Sequence, residues 1–352
     1  MSQFKPSWLL YGATGYSGEL IATEAAKRGH AVILGGRNPD RLQALADRLQ
    51  RPQRCFTLDD RASVEKGLMG VRLVLNCAGP FNLTANALAQ SCLRLGVHYL
   101  DISSEVADFR SLHRLDARAR DNGVLLLPGV GTGVLPTDAL ALHLKQRVPS
   151  AVTLSLAMAS PGAKLSRGSL HTLVESLRSQ AYVREGDQLR PAEVKLESRE
   201  VDFGPGGKHK VTSFPWRGDL YSAAISTGLQ FISCYIAVPG MLQMAMNHRR
   251  WLSHPLLGRW VDRYVARASL GPDAKERSRS RTWFWGEVVN DIGTRASSVL
   301  SGPDGYELTK LTALYAVERV LCGDSAEGWC TPSQVFGTDP LKSLPGVTLT
   351  DR

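Results

Sequence analysis

The stretch Leu9-Leu10-Tyr11-Gly12-Ala13-Thr14-Gly15-Tyr16-Ser17-Gly18 constrains the fold of this chain more than any other. An apolar run enters a glycine-rich turn, and a helical pattern follows to about Arg28. Strand, glycine turn and helix in that order open a doubly wound parallel sheet. The glycines are spaced GxxGxxG. Gly12 lets the chain turn sharply off the strand, Gly15 lets backbone approach an anion, and Gly18 lets the helix pack closely on the strand. The first amides of such a helix have no internal acceptor and carry partial positive charge. The pattern therefore implies a dinucleotide site, with the pyrophosphate beside Thr14, Tyr16 and Ser17.

The alternation continues. Residues 31–35, 54–57, 71–76, 98–102 and 124–127 read as strands. Residues 40–49, 62–67, 84–95 and 108–122 read as the helices between them, with short connections. This predicts an N-terminal parallel α/β domain of the Rossmann type over 1–147. The end of its second strand sorts NAD from NADP. An acidic residue there binds the ribose hydroxyl and repels a 2′-phosphate. Arg37 stands there instead, with Asn38 beside it and Arg41 a turn away. An arginine–phosphate contact is charge-assisted and often bidentate, so NADP(H) is favoured over NAD(H). The alternative is that Arg37 is an ordinary surface arginine.

The fourth strand ends in Asn76-Cys77-Ala78-Gly79-Pro80. Small residues at a carboxyl strand end are expected where ligands bind in open parallel sheets. Asn76, Ala78, Gly79 and Pro80 are therefore expected against the cofactor, and Cys77 as a small buried filler. The loop from Pro128 to Asp138 follows the sixth strand and is expected to face the nicotinamide.

Beyond Val148 the pattern changes. Residues 152–159, 193–201 and 209–212, and the apolar segment after Leu220, read as strands, and 168–179 as a helix. Residues 281–290 and 295–301, joined by Asp291-Ile292-Gly293-Thr294, read as a hairpin. This predicts a second, α+β domain over 148–302 with a largely antiparallel sheet, lying as a lid over the cofactor face. A helix over 308–321 opens a C-terminal segment, 303–352, expected to return to the first domain.

The net charge is +9, from 42 Lys and Arg against 33 Asp and Glu, but no block of like charges appears. That argues for a solvated surface biased toward an anionic cofactor, and against nucleic acid. The six cysteines form no CxxC pair and no Cys/His cluster of zinc spacing, so no metal site and a reducing, cytoplasmic setting are expected. The N-terminus shows no signal-peptide architecture. Residues 220–246 carry no charge. That is long enough to raise a membrane span. Ser, Thr, Gln, Pro and Gly interrupt the run, so buried strands followed by a turn and a helix are expected. Peripheral contact with a membrane surface and a homodimer are further uses of the same apolar residues.

Together these motifs resemble the saccharopine dehydrogenase-like oxidoreductases, in particular the branch named trans-acting enoyl reductases. The resemblance is carried by Gly12 to Gly18, Gly36-Arg37-Asn38, Asn76 to Phe81, and Tyr99 to Glu105. It continues through Gly131 with Pro136-Thr137-Asp138, Gly218-Asp219 with Ser226-Thr227-Gly228, and Thr331-Pro332, Phe336-Gly337 and Leu344 to Val347. It implies an NADP-binding Rossmann domain, an inserted second domain, and reductase chemistry on a C=C or C=N bond of a small-molecule substrate. The apolar second domain suggests that this substrate is lipid-like. The chain departs from the family pattern twice. Ser104 replaces a glycine before Glu105, and Thr132-Gly133 replaces Phe-Asp.

Hydride transfer needs a proton donor rather than a nucleophile. Tyr99, Asp101, Glu105 and Asp138 are the candidates, with Tyr16 and His171 as weaker ones; each also has a structural reading, as a loop tie, helix start or packing residue. Two rival readings stand beside the reductase. One is a non-catalytic NADP(H)-binding redox sensor. The other is an acyl-phosphate or semialdehyde reductase using a cysteine, Cys77 or Cys234.

Overall fold

The computed structural model describes residues 7–193, 196–248, 255–324 and 326–352. The first half alternates strand and helix. Strands β1 (Trp8–Tyr11), β2 (Val32–Gly36), β3 (Gln53–Cys55), β4 (Leu73–Asn76), β5 (His98–Asp101) and β6 (Leu125–Leu127) are separated by helices. These are α1 (Tyr16–Lys27), α2 (Pro39–Leu49), α3 (Arg61–Leu68), α4 (Phe81–Leu95), α5 (Val106–His113) and α6 (Asp116–Asp121). Helix α7 (Leu135–Arg147) then leads to β7 (Thr153–Ala159) and α8 (Arg167–Arg178). Next come β8 (Tyr182–Glu185), β9 (Gln188–Pro191), β10 (Ser198–Asp202), β11 (Lys208–Ser213), α9 (Asp219–Thr227), β12 (Phe231–Ile236), α10 (Gly240–Asn247), α11 (Pro255–Arg267) and α12 (Ala274–Arg279). The chain closes with β13 (Arg281–Val289), β14 (Arg295–Pro303), α13 (Gly305–Leu321), β15 (Gly328–Trp329), α14 (Pro332–Phe336), α15 (Pro340–Ser343) and β16 (Thr348–Asp351).

Two sheets result. The first is parallel throughout, in the order β15-β6-β5-β4-β1-β2-β3. The order reverses between β1 and β4, which places a ligand crevice at their carboxyl ends. The second sheet runs β10-β11-β12-β7-β13-β14-β16, with the β8–β9 hairpin against β12. All its pairs are antiparallel except β12 with β7. This is the α/β plus α+β architecture that the periodicity predicts.

Helix α7 joins the sheets. Leu135, Leu140, Ala141 and Leu144 are buried in a core that continues from Leu75 and Leu127 of the first sheet to Leu156, Phe284 and Val288 of the second. A helix apolar around most of its circumference belongs between two layers.

Three expectations are corrected. The apolar segment after Leu220 begins as helix α9, because Leu220, Ala223, Ala224 and Thr227 are buried at the i, i+3, i+4, i+7 spacing of one helix face. Only β12 within that segment is a strand. The single helix over 108–122 is two, α5 and α6, broken at Arg114-Leu115, where Leu115 turns into the core beside Trp329. The strand over 193–201 begins only at Ser198, and residues 194 and 195 lie outside the described ones. The tail also supplies β15 to the first sheet and β16 to the second. Strands this short, among turn residues, carry little periodicity of their own. Among the described residues no helix is long and apolar enough to cross a membrane.

Candidate cofactor and substrate site

The glycine turn has the geometry its spacing predicts. Gly12 has φ +80, and a Cβ there would stand 2.7 Å from the Ala78 nitrogen. A Cβ on Gly18 would stand 2.2 Å from the Gly12 carbonyl oxygen. Only glycine allows turn, helix and β4 exit to meet this closely. The Gly15 N–H donates to the Gly12 oxygen at 3.0 Å, which shapes the turn. The N-cap of α1, Gly15, offers no side-chain cap, and among the described residues the Tyr16, Ser17 and Gly18 amides have no backbone acceptor. Buried or clustered amides require an acceptor. These surround the exposed Gly15, so the cradle fits a phosphate group.

Arg37, at the end of β2, is exposed, and no hydrogen bond or ion pair among the described residues holds its guanidinium. It is therefore open to a 2′-phosphate. Arg41, by contrast, donates from Nη2 to the Thr14 carbonyl at 2.8 Å and braces the loop. The Asn38 side chain accepts from the Arg41 N–H at 2.9 Å and caps α2, so its oxygen is committed to the fold rather than to cofactor. Tyr16 needs a similar correction. Its hydroxyl donates to the Pro272 carbonyl and accepts from Arg277 Nη1. Its ring packs edge-on to Tyr306 at 4.8 Å between centroids. The side chain thus ties α1 to the segment preceding α12, and its backbone N–H is what the cradle uses.

The β4 exit is held by a buried network. Asn76 Nδ2 donates to Thr84 Oγ1 at 3.0 Å and to the Tyr99 hydroxyl at 3.1 Å, and Asn76 Oδ1 accepts from the Ala78 N–H at 3.0 Å. Tyr99 donates to Asp101 Oδ2 at 2.9 Å. Asp101 Oδ1 accepts from the Ser103 N–H at 2.9 Å, Ser103 Oγ at 2.6 Å and the Gly129 N–H at 3.1 Å. Asn76, Tyr99 and Asp101 are all wholly enclosed. Burial pushes the Asp101 carboxyl up and the Ser103 donors pull it down. These bonds lock the ends of β4, β5 and β6 together. Ala78 and Pro80 are half-buried and Gly79 exposed at this exit. A Cβ on Gly79 would lie 3.5 Å from Thr172 Oγ1. Helix α8, with the half-buried His171 beside Thr172, therefore stands across from the β4 exit.

Asp138 is also wholly enclosed. Its carboxylate accepts from Ser226 Oγ at 2.8 Å, the Ser333 N–H at 2.8 Å and Ser333 Oγ at 2.6 Å. It fastens α7 to α9 and α14. Cys77 is half-buried, and burial followed by the Asp101 charge pushes its thiol up. Cys234 is enclosed and likewise pushed up by burial. Both changes oppose nucleophilic use.

The Glu105 carboxylate accepts from the Ser104 N–H and the Ser104 hydroxyl, each at 3.0 Å, and burial pushes it up. It is half-buried, at the N-cap of α5, just past β5. One turn on, Asp108 is 5% exposed, and its N–H donates to the Glu105 carbonyl at 3.1 Å. Burial, then the Glu105 and Asp101 charges, push Asp108 up to about 8. Arg217 is close by, 6% exposed, donating from Nε to Asp219 Oδ2 at 2.6 Å and from Nη2 to the Gly133 carbonyl. Sequence reasoning missed Asp108 and Arg217. The i, i+3 pair of acids directly after a strand end was the available signal for Asp108; Arg217 had none. Among the described residues no group of His, Cys, Asp and Glu is placed to hold a metal ion.

Residues 8–127 match the family model for the saccharopine dehydrogenase NADP binding domain. The trans-acting enoyl reductase of Mycobacterium ulcerans (strain Agy99) is 28% identical over 214 residues, covering 56% of this chain but only 51% of that protein. The trans-acting enoyl reductase of Mycobacterium tuberculosis (strain ATCC 25618 / H37Rv) is 26% identical over 398 aligned positions, covering 96% of this chain and 95% of that protein. The apo saccharopine dehydrogenase (L-Glu forming) of Saccharomyces cerevisiae shares the fold, with a TM-score of 0.63 over 99% of both chains at 13% identity. Residues 8–127 are thus similar to the saccharopine dehydrogenase NADP binding domain, and the whole chain is similar in sequence to proteins named trans-acting enoyl reductases.

Proposed function

We propose that the protein is an NADPH-dependent reductase that delivers hydride to a C=C or C=N bond of an apolar, lipid-like substrate. The observation that carries this is the uncapped N-terminus of α1, with Arg37 open beside it and the half-buried Glu105 on the same sheet edge. Relatives named enoyl reductases support a C=C substrate. The cofactor, when bound, supplies the hydride. The chain's own residues do the rest. The Tyr16, Ser17 and Gly18 amides hold the pyrophosphate, Arg37 the 2′-phosphate, and Glu105 passes a proton to the atom next to the one reduced. In this reading residues 1–147 bind cofactor, 148–302 cover the substrate and 303–352 brace the two.

Titration of nicotinamide fluorescence with NADPH and NADH, on wild type and Arg37→Ala, tests it. A contact with charged phosphate contributes about 1.5–3 kcal/mol. Arg37 is exposed and screened, so the lower end applies and the preference for NADPH is about tenfold. Arg37→Ala should bring NADPH to the NADH level. Absence of binding to either nucleotide would refute the reading.

A further inference from the structure

Helix α11 buries one face and leaves an aromatic one in solvent. Gly258 and Val265 are buried and Val261 half-buried, at the i, i+3, i+7 spacing of one helix face. The helix packs on α8, and the two run antiparallel. Arg167, which opens α8, donates from Nε and Nη2 to the Ala268 carbonyl at 2.9 and 2.7 Å. Arg178, which closes it, donates from Nη2 to the Gly258 carbonyl at 3.2 Å and pairs with Asp262 at 2.9 Å. A second stripe holds Leu257, Trp260 and Tyr264, which are 47%, 66% and 63% exposed. The Trp260 and Tyr264 rings stack with centroids 6.0 Å apart and 15° between planes, so they form one apolar plate. Beside it the exposed Arg259, Arg263 and Arg267 recur at i, i+4, i+8, and among the described residues none of them meets a carboxylate. Asp262 is the only acid of α11, and Arg178 already holds it.

Large apolar side chains gathered in water mark a surface that something covers. Tryptophan and tyrosine settle where lipid headgroups meet acyl chains, because one end of each ring is apolar and the other wet. Arginines alongside them bond to phosphate. A second copy of the chain fits less well, since a two-fold interface would gather both sets of arginines with no acid to pair them. We propose that α11 is a docking helix for an anionic lipid surface. It lies in the plane of that surface, with Leu257, Trp260 and Tyr264 entering the headgroup boundary and Arg259, Arg263 and Arg267 on the phosphates. Helix α8 links this surface to the crevice, because Thr172 Oγ1 lies 3.5 Å from where a Gly79 Cβ would stand. Docking therefore holds the crevice beside the lipid from which an apolar substrate would come. The docking itself does not depend on the reductase reading.

Cosedimentation of the full chain with vesicles of mixed phosphatidylglycerol and phosphatidylcholine tests this. Wild type should bind them, less so as salt rises, and should bind pure phosphatidylcholine at least about tenfold more weakly. Each basic side chain near an anionic surface contributes about fivefold, so Arg259→Ala/Arg263→Ala should weaken binding by about 25-fold. Trp260→Ala/Tyr264→Ala should weaken it by at least about tenfold. All four side chains are exposed, so the urea midpoint should not move. Ile292, 87% exposed between β13 and β14, is the control, and Ile292→Ala should bind as wild type does. No binding to the anionic vesicles, undiminished binding in either double variant, or an equal loss in Ile292→Ala would overturn the proposal. So would a wild-type dimer that Trp260→Ala/Tyr264→Ala dissociates, which would give the stripe to a second copy. NADPH titration of the same samples is independent. Its failure would refute the cofactor reading and leave the vesicle result standing.

Discussion

Gly18→Ala is the sharpest test of the cradle. The added Cβ would lie 2.2 Å from the Gly12 oxygen, 3.0 Å from the Gly12 carbonyl carbon and 3.1 Å from Ala13 Cα. Every neighbour is backbone of the phosphate turn, so no side chain can rotate away. Turn and helix must separate by about 1 Å to restore van der Waals distance. Overpacking of this kind costs about 1–3 kcal/mol, and rigid neighbours put it at the upper end. Alanine returns about 1 kcal/mol through helix propensity, which leaves a net loss of about 2 kcal/mol. The displaced amides also lose charge-assisted bonds to phosphate, so NADPH affinity should fall by at least about tenfold. Gly29→Ala is the control. Gly29 has φ +71 with open space around its missing Cβ. It should pay only the left-handed backbone cost of about 1–2 kcal/mol and leave NADPH binding alone. Urea unfolding and fluorescence titration on both variants separate the effects. Gly18→Ala with wild-type NADPH affinity would refute the argument that this glycine permits the cradle.

Arg217→Ala should cost about 3–5 kcal/mol, because Asp219 is wholly enclosed and would keep an unpaired charge; urea unfolding reads it, and a loss near zero would show that Asp219 is hydrated. Among the thiols, the exposed Cys55 and Cys322 should react first with a thiol reagent in the native state, and Cys77 and Cys234 only slowly. Mass spectrometry showing rapid labelling of Cys77 would revive the cysteine-dependent reading.

Much of the fold was legible because the signals are local. Strand and helix alternation from Trp8 to Leu127 follows from apolar period and turn residues. Errors fell where local signals conflict or are short. Helix α9 was hidden by an uncharged run whose helical spacing is visible once Leu220, Ala223, Ala224 and Thr227 are counted. Strand β15 has only Gly328 and Trp329, and its place was decided by pairing with β6. Among the site residues, the acids were found but not sorted. Asp101 and Asp138 look in sequence like Glu105, and burial separates them.

The sequence by itself determined the parallel sheet and the phosphate turn, because glycine spacing and hydrophobic period act over a few residues. It also determined that Arg37 stands where an acid would select NAD. Tertiary structure alone decided which carboxyl groups are enclosed and which donors they accept from. It alone brought Ser104 against Gly133, and Tyr16 to Pro272, 256 residues away. Desolvation and partner identity are set by residues distant in the chain, and no local pattern encodes them.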